Sequence, residues 1–436
     1  MPALKWRLIQ RISPARSISG SITLPGDKSI SHRYAMIASI AQGVSRIRNY
    51  STGADCHSTL KAMQALGVAI NASGTDVTIH GVGLDGLRPP AAALDAGNSG
   101  STIRMLSGIL AAQPFTTQIG GDESLSRRPM RRIMDPLGRM GASITARDGQ
   151  FPPLEIVGAR LVPIDYALPV ASAQVKTCVL FAGLYAEGET IVREPVRSRD
   201  HTEIALREFG ADLRVQGKTI MLAGRPPLAA RELTVPADLS SAAFFIVAAL
   251  LLPGSSLTIR GVGLNPTRST LLDFLVGMGA QIRIAQVECH NGELVGELVV
   301  TASRVRGGTI EKETTAALID EIPVLAVLGA ASGEGLDIRD AGELRIKETD
   351  RIATVAENLR RMGVQAEERP DGLLIPGRQK FRAAALDSFG DHRIAMAFAI
   401  AALAADGESA IDGAEAASVS FPSFYDTLRQ IAGQPA

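Results

Sequence analysis

The sequence has no excess of charge of either sign. Its 436 residues include 45 Lys and Arg and 45 Asp and Glu, so the formal net charge is zero. Proteins that bind nucleic acid or an anionic membrane surface usually carry a basic excess, and the balance therefore argues against both classes. If the ligand is an anion, the basic residues that bind it must be concentrated locally.

Cysteine is scarce, and the apolar segments are short. Cys56, Cys178 and Cys289 are odd in number and show no CxxC spacing. This usage predicts reduced, buried side chains in a cytoplasmic protein. The longest apolar runs, residues 242–252 and 394–405, are too short to span a bilayer. The first residues, MPALKWRLIQR, contain no apolar core, so we expect no signal peptide.

The signatures of several common chemistries are also missing. The segment GVGLDG lacks the spacing and the βαβ setting of a dinucleotide loop, and no GxxxxGK[ST] or GxSxG motif occurs. The six histidines are scattered, and no His or Cys cluster has metal-ligand spacing. The sequence therefore predicts neither a bound metal nor a cofactor.

One structural repeat recurs along the chain. Its most regular mark is a helix end in which an apolar residue is followed by Gly and then by Ala or Val, as expected of a left-handed helix C-cap. The pattern occurs at roughly 70 to 85 residue intervals, within the size of a supersecondary structure. It stands at Leu66-Gly67-Val68, Met140-Gly141-Ala142, Phe209-Gly210-Ala211, Met278-Gly279-Ala280, Met362-Gly363-Val364 and, more weakly, Ile431-Ala432-Gly433.

A second type of helix repeats with the same period. It is apolar nearly all round, opens with polar residues and closes before a short strand, which predicts a buried helix. The six copies are DKSISHRYAMIASIAQG, GNSGSTIRMLSGILA, SAQVKTCVLFAGLYAEG, ADLSSAAFFIVAALLLPG, IDEIPVLAVLGAASGEG and GDHRIAMAFAIAALAADG. The helices that end in the Gly motif are amphipathic instead, and further strands follow them.

These elements predict an α/β protein of two domains, each built from three βαβαββ repeats. Six repeats exceed the size of one domain, and a boundary at Pro25-Gly26 and another near Pro236-Ala237 would separate three from three. The first domain would then be residues 25–236. The second would be discontinuous, with residues 1–24 and 237–436, and its sixth repeat would be completed by the N-terminal segment that contains GSITL. Such a division predicts a cleft between the domains.

The stretch LPGDKSISHR is the first candidate site. Asp27 or Ser29 can cap the following helix, while Lys28 and Arg33 bring two cations to its N-terminus. Backbone N–H groups and cations in one place form a site for a phosphate or a carboxylate. The alternative is a capped surface helix with two solvated cations.

Polar residues open the other buried helices as well, and they would meet if those helices pack in parallel. Arginines open the amphipathic helices, so the sequence predicts a polyanion site. The residues concerned are Asn98, Ser99, Gly100, Ser172, Gln174, Asp320, Glu321, Asp391, His392 and Arg393 on the buried helices and Arg127, Arg128, Arg199 and Arg351 on the others.

Two carboxylates, Asp320 and Glu348, are unexpected among cations unless they transfer protons. Asp320 could instead be only an N-cap, and Glu348 only a capping-box or ion-pair residue. Asn98 to Ser101 could be an ordinary helix cap. We expect Arg131 and Arg132 to be solvated, and His392 to be a hydrogen-bonding rather than a catalytic residue.

Together these motifs resemble the 5-enolpyruvylshikimate-3-phosphate synthase family, the 3-phosphoshikimate 1-carboxyvinyltransferases. The motifs are LPGDKSISHR, GNSGSTIR, SRRPM, SAQVK, SRDHTE, IDEIP, ELRIKETDR and GDHRIAM, in that order along nearly the whole chain. The resemblance implies an enolpyruvyl-transferase-like fold, an inside-out α/β barrel in each domain with buried parallel helices and the active site between the domains. It also implies transfer of the enolpyruvyl group of phosphoenolpyruvate to the 5-hydroxyl of shikimate 3-phosphate. Phosphate is released, and the product leads to chorismate and aromatic amino acids.

The resemblance also implies roles for individual residues. Asp320 would accept the proton of the 5-hydroxyl, and Glu348, assisted by Lys28, would protonate the methylene carbon. Shikimate 3-phosphate would be bound by Lys28, Ser29, Arg33, Ser172, Ala173, Gln174, Arg199, Asp320 and Lys347. Phosphoenolpyruvate would be bound by Lys28, Gly100, Arg128, Gln174, Arg351 and Arg393. We further expect a cytoplasmic monomer without nucleic-acid or membrane partners, which glyphosate could inhibit.

Two positions depart from the family pattern, and one rival function is close. Ala173 replaces a Ser of some members, and Val419 stands where some members have a Lys. The alternative is the related transferase that acts on UDP-N-acetylglucosamine. That enzyme typically has a Cys in the loop that corresponds to residues 122–129, and this loop contains none.

Overall fold

The computed structural model describes residues 7–433 and is a mixed α/β structure. Within this range the chain forms thirteen α-helices. In order they are α1 Lys28–Ile40, α2 Ala54–Ala65, α3 Gly100–Leu110, α4 Arg131–Arg139, α5 Ala173–Gly183, α6 His201–Glu208, α7 Leu239–Leu251, α8 Thr270–Gly277, α9 Lys312–Leu318, α10 Ile322–Ala331, α11 Arg351–Arg361, α12 His392–Leu403 and α13 Phe424–Ile431. All twelve predicted helices are present, and α9 is an addition that the sequence analysis did not predict.

The strands of the same range number twenty-three, and most of them are short. In order they are β1 Ile9–Ile12, β2 Ser19–Thr23, β3 Gln42–Arg48, β4 Ala69–Ser73, β5 Asp76–Val82, β6 Leu94–Asp95, β7 Thr116–Gly120, β8 Ser143–Arg147, β9 Phe151–Val157, β10 Asp165–Ala167, β11 Glu189–Arg193, β12 Leu213–Gln216, β13 Thr219–Ala223, β14 Glu232–Thr234, β15 Ser256–Gly263, β16 Gln281–His290, β17 Glu293–Thr301, β18 Gly307–Ile310, β19 Gly335–Ile338, β20 Glu367–Arg369, β21 Gly372–Ile375, β22 Ala385–Asp387 and β23 Ser409–Asp412. They form six sheets, one for each predicted repeat.

The chain divides into two units. The first, here called the 26–236 unit, contains Gly26–Pro236 together with Cys289–Glu293. The second, here called the terminal unit, contains Met1–Pro25, Ala237–Glu288 and Leu294–Ala436, of which residues 1–6 and 434–436 lie outside the described residues. This partition differs from the predicted boundaries at two places. Pro25 belongs to the terminal unit and not to the first domain, and Cys289–Glu293 belongs to the 26–236 unit and not to the second domain.

Each unit has its own apolar core, to which its helices contribute. In the 26–236 unit the core contains α1, α3 and α5, and in the terminal unit α7, α10 and α12. All twelve residues of α12 are buried, as are twelve of the thirteen residues of α7. The prediction that the apolar helices are buried is confirmed, because a helix that is apolar all round leaves no face for water.

The predicted helix ends are also confirmed. The glycines Gly67, Gly141, Gly210, Gly279, Gly363 and Gly433 have φ values of +92°, +111°, +98°, +100°, +75° and +62°. At the first five the N–H of the next residue donates to the carbonyl five residues earlier, for example from Val68 to Met63 at 3.1 Å. This bond defines the Schellman motif, in which a left-handed Gly satisfies the last carbonyl groups of a helix.

Five of the six sheets share one strand order. In the second repeat it is β6-β7-β9-β8, with β6 parallel to β7 and the other pairs antiparallel. The first repeat takes its outer parallel strand from the end of the unit, because β14 pairs with β3. The sixth sheet has only three strands, in the order β1-β23-β22.

The N-terminal segment completes two repeats rather than one. Residues of β1 pair antiparallel with β23, so the sixth repeat is completed as predicted, by Ile9–Ile12. The segment GSITL does not take part in it. Its residues form β2, which pairs in parallel with β15 in the fourth repeat. This part of the prediction was wrong because strand partners distant in sequence leave no trace in local periodicity.

The two chain crossings are short and lie side by side. The Asp27 N–H donates to the carbonyl of Pro236 at 2.7 Å, and the Asp238 N–H donates to the carbonyl of Pro25 at 3.0 Å. Gly26 is required at the first crossing because a Cβ atom there would stand 1.8 Å from the backbone oxygen of Asn49. No main-chain atom can be approached so closely without a shift of the backbone.

The cysteine prediction was partly wrong. All three cysteines are free, and Cys56 and Cys178 are buried, but Cys289 is exposed near the end of β16. No single helix within residues 7–433 is long and apolar enough to cross a membrane. The pair α9 and α10 meets that test only when its two helices are taken together, and it is bent by 110°.

Candidate active site

The N-terminus of α1 is capped by Asp27, whose carboxylate accepts the N–H of Ile30 at 2.9 Å. Of the two predicted caps, Asp27 rather than Ser29 therefore has this role. The Lys28 ammonium lies 2.9 Å from Asp55 Oδ2, and the Lys28 and Asp55 side chains are 17% and 8% exposed. Lys28 is thus held in place by an ion pair and is not a freely solvated cation, contrary to the alternative reading of this helix.

Arg33 joins three helices of the 26–236 unit. Its Nε donates to the Thr202 hydroxyl at 2.6 Å, Nη2 to the Thr177 hydroxyl at 2.9 Å and Nη1 to the Ser29 carbonyl at 2.8 Å. Burial lowers the pKa of Arg33 to about 10, and the positive charge of Arg199 adds to this effect. These bonds use three of the five guanidinium N–H groups.

Gly100 begins α3 between two arginines. A Cβ atom at this position would lie 2.9 Å from Arg104 Nη1 and 3.3 Å from Arg128 Nη1. The Ser99 hydroxyl accepts the Thr102 N–H at 3.0 Å, so the cap of this helix is real. An ordinary cap does not account for the two guanidinium groups, whose positive charge adds to that of the helix N-terminus.

Gln174 and Arg128 are fixed by neighbours on other elements. Gln174 accepts from Arg104 Nη1 at 2.8 Å and donates to the Ser101 hydroxyl at 3.0 Å. Arg128 Nη2 donates to Asn98 Oδ1 at 2.8 Å. Hydrogen bonds therefore join the start of α5 to α3, and join Arg128 to the segment just before α3.

The remaining predicted residues of this unit lie at helix starts and in loops. Ser172 caps α5 and accepts the Val175 N–H at 3.4 Å, and Ala173 is the first residue of that helix. Arg199 lies half-buried in the loop before α6. Arg131 and Arg132 are exposed, as predicted.

Arg351 is the centre of the predicted site in the terminal unit. Its side chain is 2% exposed. It donates from Nε to Asp391 Oδ2 at 2.8 Å and from Nη2 to Glu348 Oε2 at 2.6 Å. Burial disfavours its charge, but the carboxylates of Asp391 and Glu348 outweigh burial and hold the pKa of Arg351 above its ordinary value.

Asp320 lies on the other side of Arg351, in the bend between α9 and α10. Its Oδ1 is 3.6 Å from Arg351 Nη1 and 3.8 Å from Lys347 Nζ. Glu321 rather than Asp320 occupies the N-cap position of α10. The Asp320 side chain is 18% exposed and that of Glu348 16%, so both carboxylates are partly accessible.

Asp391 connects Arg351 to the start of α12. Its carboxylate is fully buried and also accepts the backbone N–H of Arg393 at 2.8 Å. The Arg393 guanidinium lies over the Phe244 ring, 5.9 Å from its centroid. His392 is buried, with Nδ1 3.8 Å from Asp391 Oδ1, and Val419 is half-buried in a 3-10 helix after β23.

The comparisons with known proteins cover almost the whole chain. A profile of the EPSP synthase (3-phosphoshikimate 1-carboxyvinyltransferase) family matches residues 12–428. The chain belongs to the EPSP synthase family. Two curated family members are similar over 97% of this chain, each named 3-phosphoshikimate 1-carboxyvinyltransferase. The protein from Solibacter usitatus is 74% identical and is covered over 99% of its length, and that from Koribacter versatilis is 52% identical and covered over 98%.

Solved structures agree with this membership. EPSP synthase from Acinetobacter baumannii has a TM-score of 0.86 and 40% identity, with 98% of each chain covered. The enolpyruvyl transferase NikO from Streptomyces tendae, at 20% identity and a TM-score of 0.76 over 98% of this chain and 97% of its own, shares the fold. The predicted α/β fold of the enolpyruvyl transferases is confirmed.

The sequence analysis did not single out two residues, Arg104 and Asp55, that contact predicted site residues. Arg104 was overlooked although it lies in the motif GNSGSTIR, four residues after Gly100. An Arg one helical turn after an anion-binding Gly is the signal that could have found it. Asp55 carries no comparable signal, because its contact with Lys28 is made across two helices.

No group of three or more His, Cys, Asp or Glu side chains in the part of the chain from residue 7 to residue 433 could hold a metal ion. The predicted residues fall into two sets of charged groups, one in each unit. The set in the 26–236 unit has several cations and helix N-termini, which suit an anion. The set in the terminal unit combines cations with two accessible carboxylates, which suit proton transfer.

Proposed function

We propose that this protein transfers the enolpyruvyl group of phosphoenolpyruvate to the 5-hydroxyl of shikimate 3-phosphate and releases phosphate. The observation that carries the proposal is membership of the EPSP synthase family along residues 12–428, with a relative that is 74% identical. The charged residues of the motifs support it, because both substrates are anions and the reaction needs a base and an acid.

Shikimate 3-phosphate is assigned to the residues at the starts of α1 and α5. Lys28, Ser29 and Arg33 stand at the start of α1, and Ser172 and Gln174 at the start of α5. Ala173 can offer only its backbone, because it has no hydroxyl. The remaining assigned residues are Arg199, Asp320 and Lys347.

Phosphoenolpyruvate is assigned to residues that the structure holds rigidly. Arg128 and Gln174 are fixed by Asn98 and Arg104, and Gly100 lies between the two arginines. In the terminal unit Arg351 is bonded to Asp391 and Glu348. Arg393 of the same unit and Lys28 of the 26–236 unit complete the assignment. Preorganised cations bind an anion without a further cost of ordering their side chains.

The addition requires two proton transfers, and the elimination requires a third. As the 5-hydroxyl oxygen bonds to C2 of phosphoenolpyruvate, Asp320 accepts the hydroxyl proton and Glu348 donates a proton to C3. C3 then returns a proton to the Glu348 carboxylate, the C2–O bond to phosphate breaks, and the proton held by Asp320 passes to the released phosphate or to solvent. Lys28 assists by its positive charge. We propose that the two sets of residues act on the same pair of substrates.

Phosphate release from a mixture of the two substrates tests this function. We expect phosphate to appear only when shikimate 3-phosphate and phosphoenolpyruvate are both present. UDP-N-acetylglucosamine in place of shikimate 3-phosphate should give none, since the family comparisons favour the shikimate enzyme. Phosphate release with the nucleotide sugar alone as acceptor would reverse the assignment.

Gly100→Ala should weaken glyphosate inhibition more than it weakens phosphoenolpyruvate binding. The new methyl group would lie 2.9 Å from Arg104 Nη1 and 3.3 Å from Arg128 Nη1, closer than an ordinary van der Waals contact. Glyphosate is longer than phosphoenolpyruvate and would have less clearance beside Gly100. We therefore expect the inhibition constant of glyphosate to rise on the order of tenfold or more. Shikimate 3-phosphate binding should barely change.

Inhibition constants against varied phosphoenolpyruvate, measured for both proteins, check this result. Gly138→Ala is a suitable control, because a Cβ atom at Gly138 meets nothing within 4 Å. Equal losses for the two ligands in Gly100→Ala would mean that Gly100 serves the helix cap alone.

Four further predictions from the sequence remain proposals. They are a monomeric state, a cytoplasmic location, and the absence of nucleic-acid and membrane partners. Gel filtration with light scattering tests the first of these, and a dimer at micromolar concentration would contradict it.

A further inference from the structure

We propose that Glu194, together with the buried Lys176, is a positioning residue for Arg199 and thereby for the binding of shikimate 3-phosphate. The inference rests on the proposed function, in which Arg199 contacts that substrate. Neither Glu194 nor Lys176 was assigned a role above, although Lys176 belongs to the motif SAQVK and Arg199 to the motif SRDHTE.

A buried charge cluster lies beneath the Arg199 loop. Lys176 Nζ is 3.1 Å from Glu194 Oε2 and 2.7 Å from Glu203 Oε1. The side chains of Lys176, Glu194 and Glu203 are 0%, 2% and 4% exposed. Charges buried to this extent are tolerated only when they are paired and hydrogen-bonded.

The second oxygen of Glu194 is directed at the loop itself. Glu194 Oε1 accepts the backbone N–H of Ser198 at 3.1 Å and also accepts the Ser198 hydroxyl. Ser198 immediately precedes Arg199. One carboxylate thus joins the buried ammonium of Lys176 to the backbone from which the Arg199 side chain extends.

The same cluster continues to Arg33. Thr177 follows Lys176 on α5, and Thr202 precedes Glu203 on α6, so two adjacent residues of each helix face one another. The Thr177 and Thr202 hydroxyls are hydrogen-bonded at 2.5 Å, and both also accept from Arg33. The two cations of the cluster, Lys176 and Arg33, are balanced by the two carboxylates of Glu194 and Glu203. The cluster thus contacts both Arg33 and the loop of Arg199, which are assigned to shikimate 3-phosphate.

A merely structural cluster makes a different prediction. Replacing one member would then lower the stability of the fold and leave the affinity for shikimate 3-phosphate unchanged. A positioning role predicts a selective loss of that affinity, with the Michaelis constant of phosphoenolpyruvate nearly constant. It also predicts that the loss of affinity for shikimate 3-phosphate disappears when Arg199 is already replaced. The effects of two substitutions are not additive when one residue acts through the other.

A double-mutant cycle on Glu194 and Arg199 separates these outcomes. Dissociation constants of shikimate 3-phosphate alone are measured by calorimetry for the full-length parent, Glu194→Gln, Arg199→Ala and the double variant. We expect Glu194→Gln to weaken binding about tenfold, as for the loss of a charge-assisted hydrogen bond. In the Arg199→Ala background the same change should cost less than about twofold.

Two further variants distinguish a loss of substrate binding from a loss of folding. Asp165→Asn removes an exposed ion pair with Arg193, the residue before Glu194, and should leave the affinity unchanged. If Glu194→Gln does not fold, Ser198→Ala tests the same link, because it removes one donor and leaves the buried charges intact. Its loss of affinity, smaller than that of Glu194→Gln, should again vanish without Arg199.

Two results would overturn the inference, provided that Arg199→Ala itself binds shikimate 3-phosphate weakly. One is an unchanged affinity in Glu194→Gln. The other is a double variant in which the two losses of binding free energy add. An Arg199→Ala variant that binds like the parent would remove Arg199 from the site and the inference with it. Failure of the proposed function has a separate signature, because the parent itself would then release no phosphate from the two substrates.

Discussion

Glu348→Gln binds both substrates but loses turnover by a factor of roughly 10² to 10⁴, the usual contribution of a general acid or base. The amide keeps the size of the side chain and an oxygen that can accept from Arg351 Nη2, now 2.6 Å from Glu348 Oε2. It has no acidic proton to give to the methylene carbon. Single-turnover kinetics with binding measured separately check this expectation.

Glu357→Gln is the matched control for this experiment. Glu357 lies on α11, six residues after Arg351, and its exposed carboxylate pairs with Arg361 at 3.0 Å. Its turnover should equal that of the parent. If Glu348→Gln also retains a rate within a few-fold of the parent and an unchanged pH profile, Glu348 has no part in the proton transfer.

Asp391→Ala lowers the free energy of unfolding by about 3–5 kcal/mol, the usual effect of removing one partner of a buried ion pair. The Arg351 guanidinium is 2% exposed and its Nε atom would lose its carboxylate acceptor. The start of α12 would lose its cap at the same time, because Asp391 accepts the Arg393 N–H. Denaturant unfolding of the parent and the variant measures the change.

Two variants bracket this result. Asp391→Asn retains one acceptor oxygen, which can serve either Arg351 Nε or the Arg393 N–H but not both, and should be less destabilised than Asp391→Ala. Asp426→Ala removes the carboxylate of an exposed pair with Arg429, for which about 0–1 kcal/mol is expected. A loss below about 1 kcal/mol in Asp391→Ala, equal to that of the exposed pair, would show that Arg351 finds other partners.

Most of the fold was predictable because its elements obey local rules. A buried helix is apolar on every side, an amphipathic one ends in a left-handed Gly, and both patterns can be read within about fifteen residues. The helix α9 was not predictable in this way, because its sequence KETTAAL has seven residues and is too short to show a helical periodicity of apolar residues. The partners of β1 and β2 escaped for another reason, since pairing over hundreds of residues is decided by the whole fold.

The same division holds for the candidate site. The motifs predicted that Gly100 and Asp320 lie beside charged groups, and the structure places both residues next to guanidinium groups. The sequence could not indicate what fixes these groups in position. The contacts that fix them are made by carboxylates, among them Asp55, Glu194 and Asp391. The partner of a carboxylate depends on the folded structure and cannot be identified from the sequence around it.

The pairing of β1 with β23 has a consequence for the order in which the protein matures. A ribosome that has reached residue 236 has made every strand of the 26–236 unit, from β3 to β14. The terminal unit must wait, because Ile9–Ile12 has no sheet to join until Ser409–Asp412 has been synthesised. During that interval β2 also lacks β15 for as long as residues 256–263 are unmade. A segment that is made before the 26–236 unit is thus among the last to fold, and chaperones that cover exposed strands would have to bind it longest.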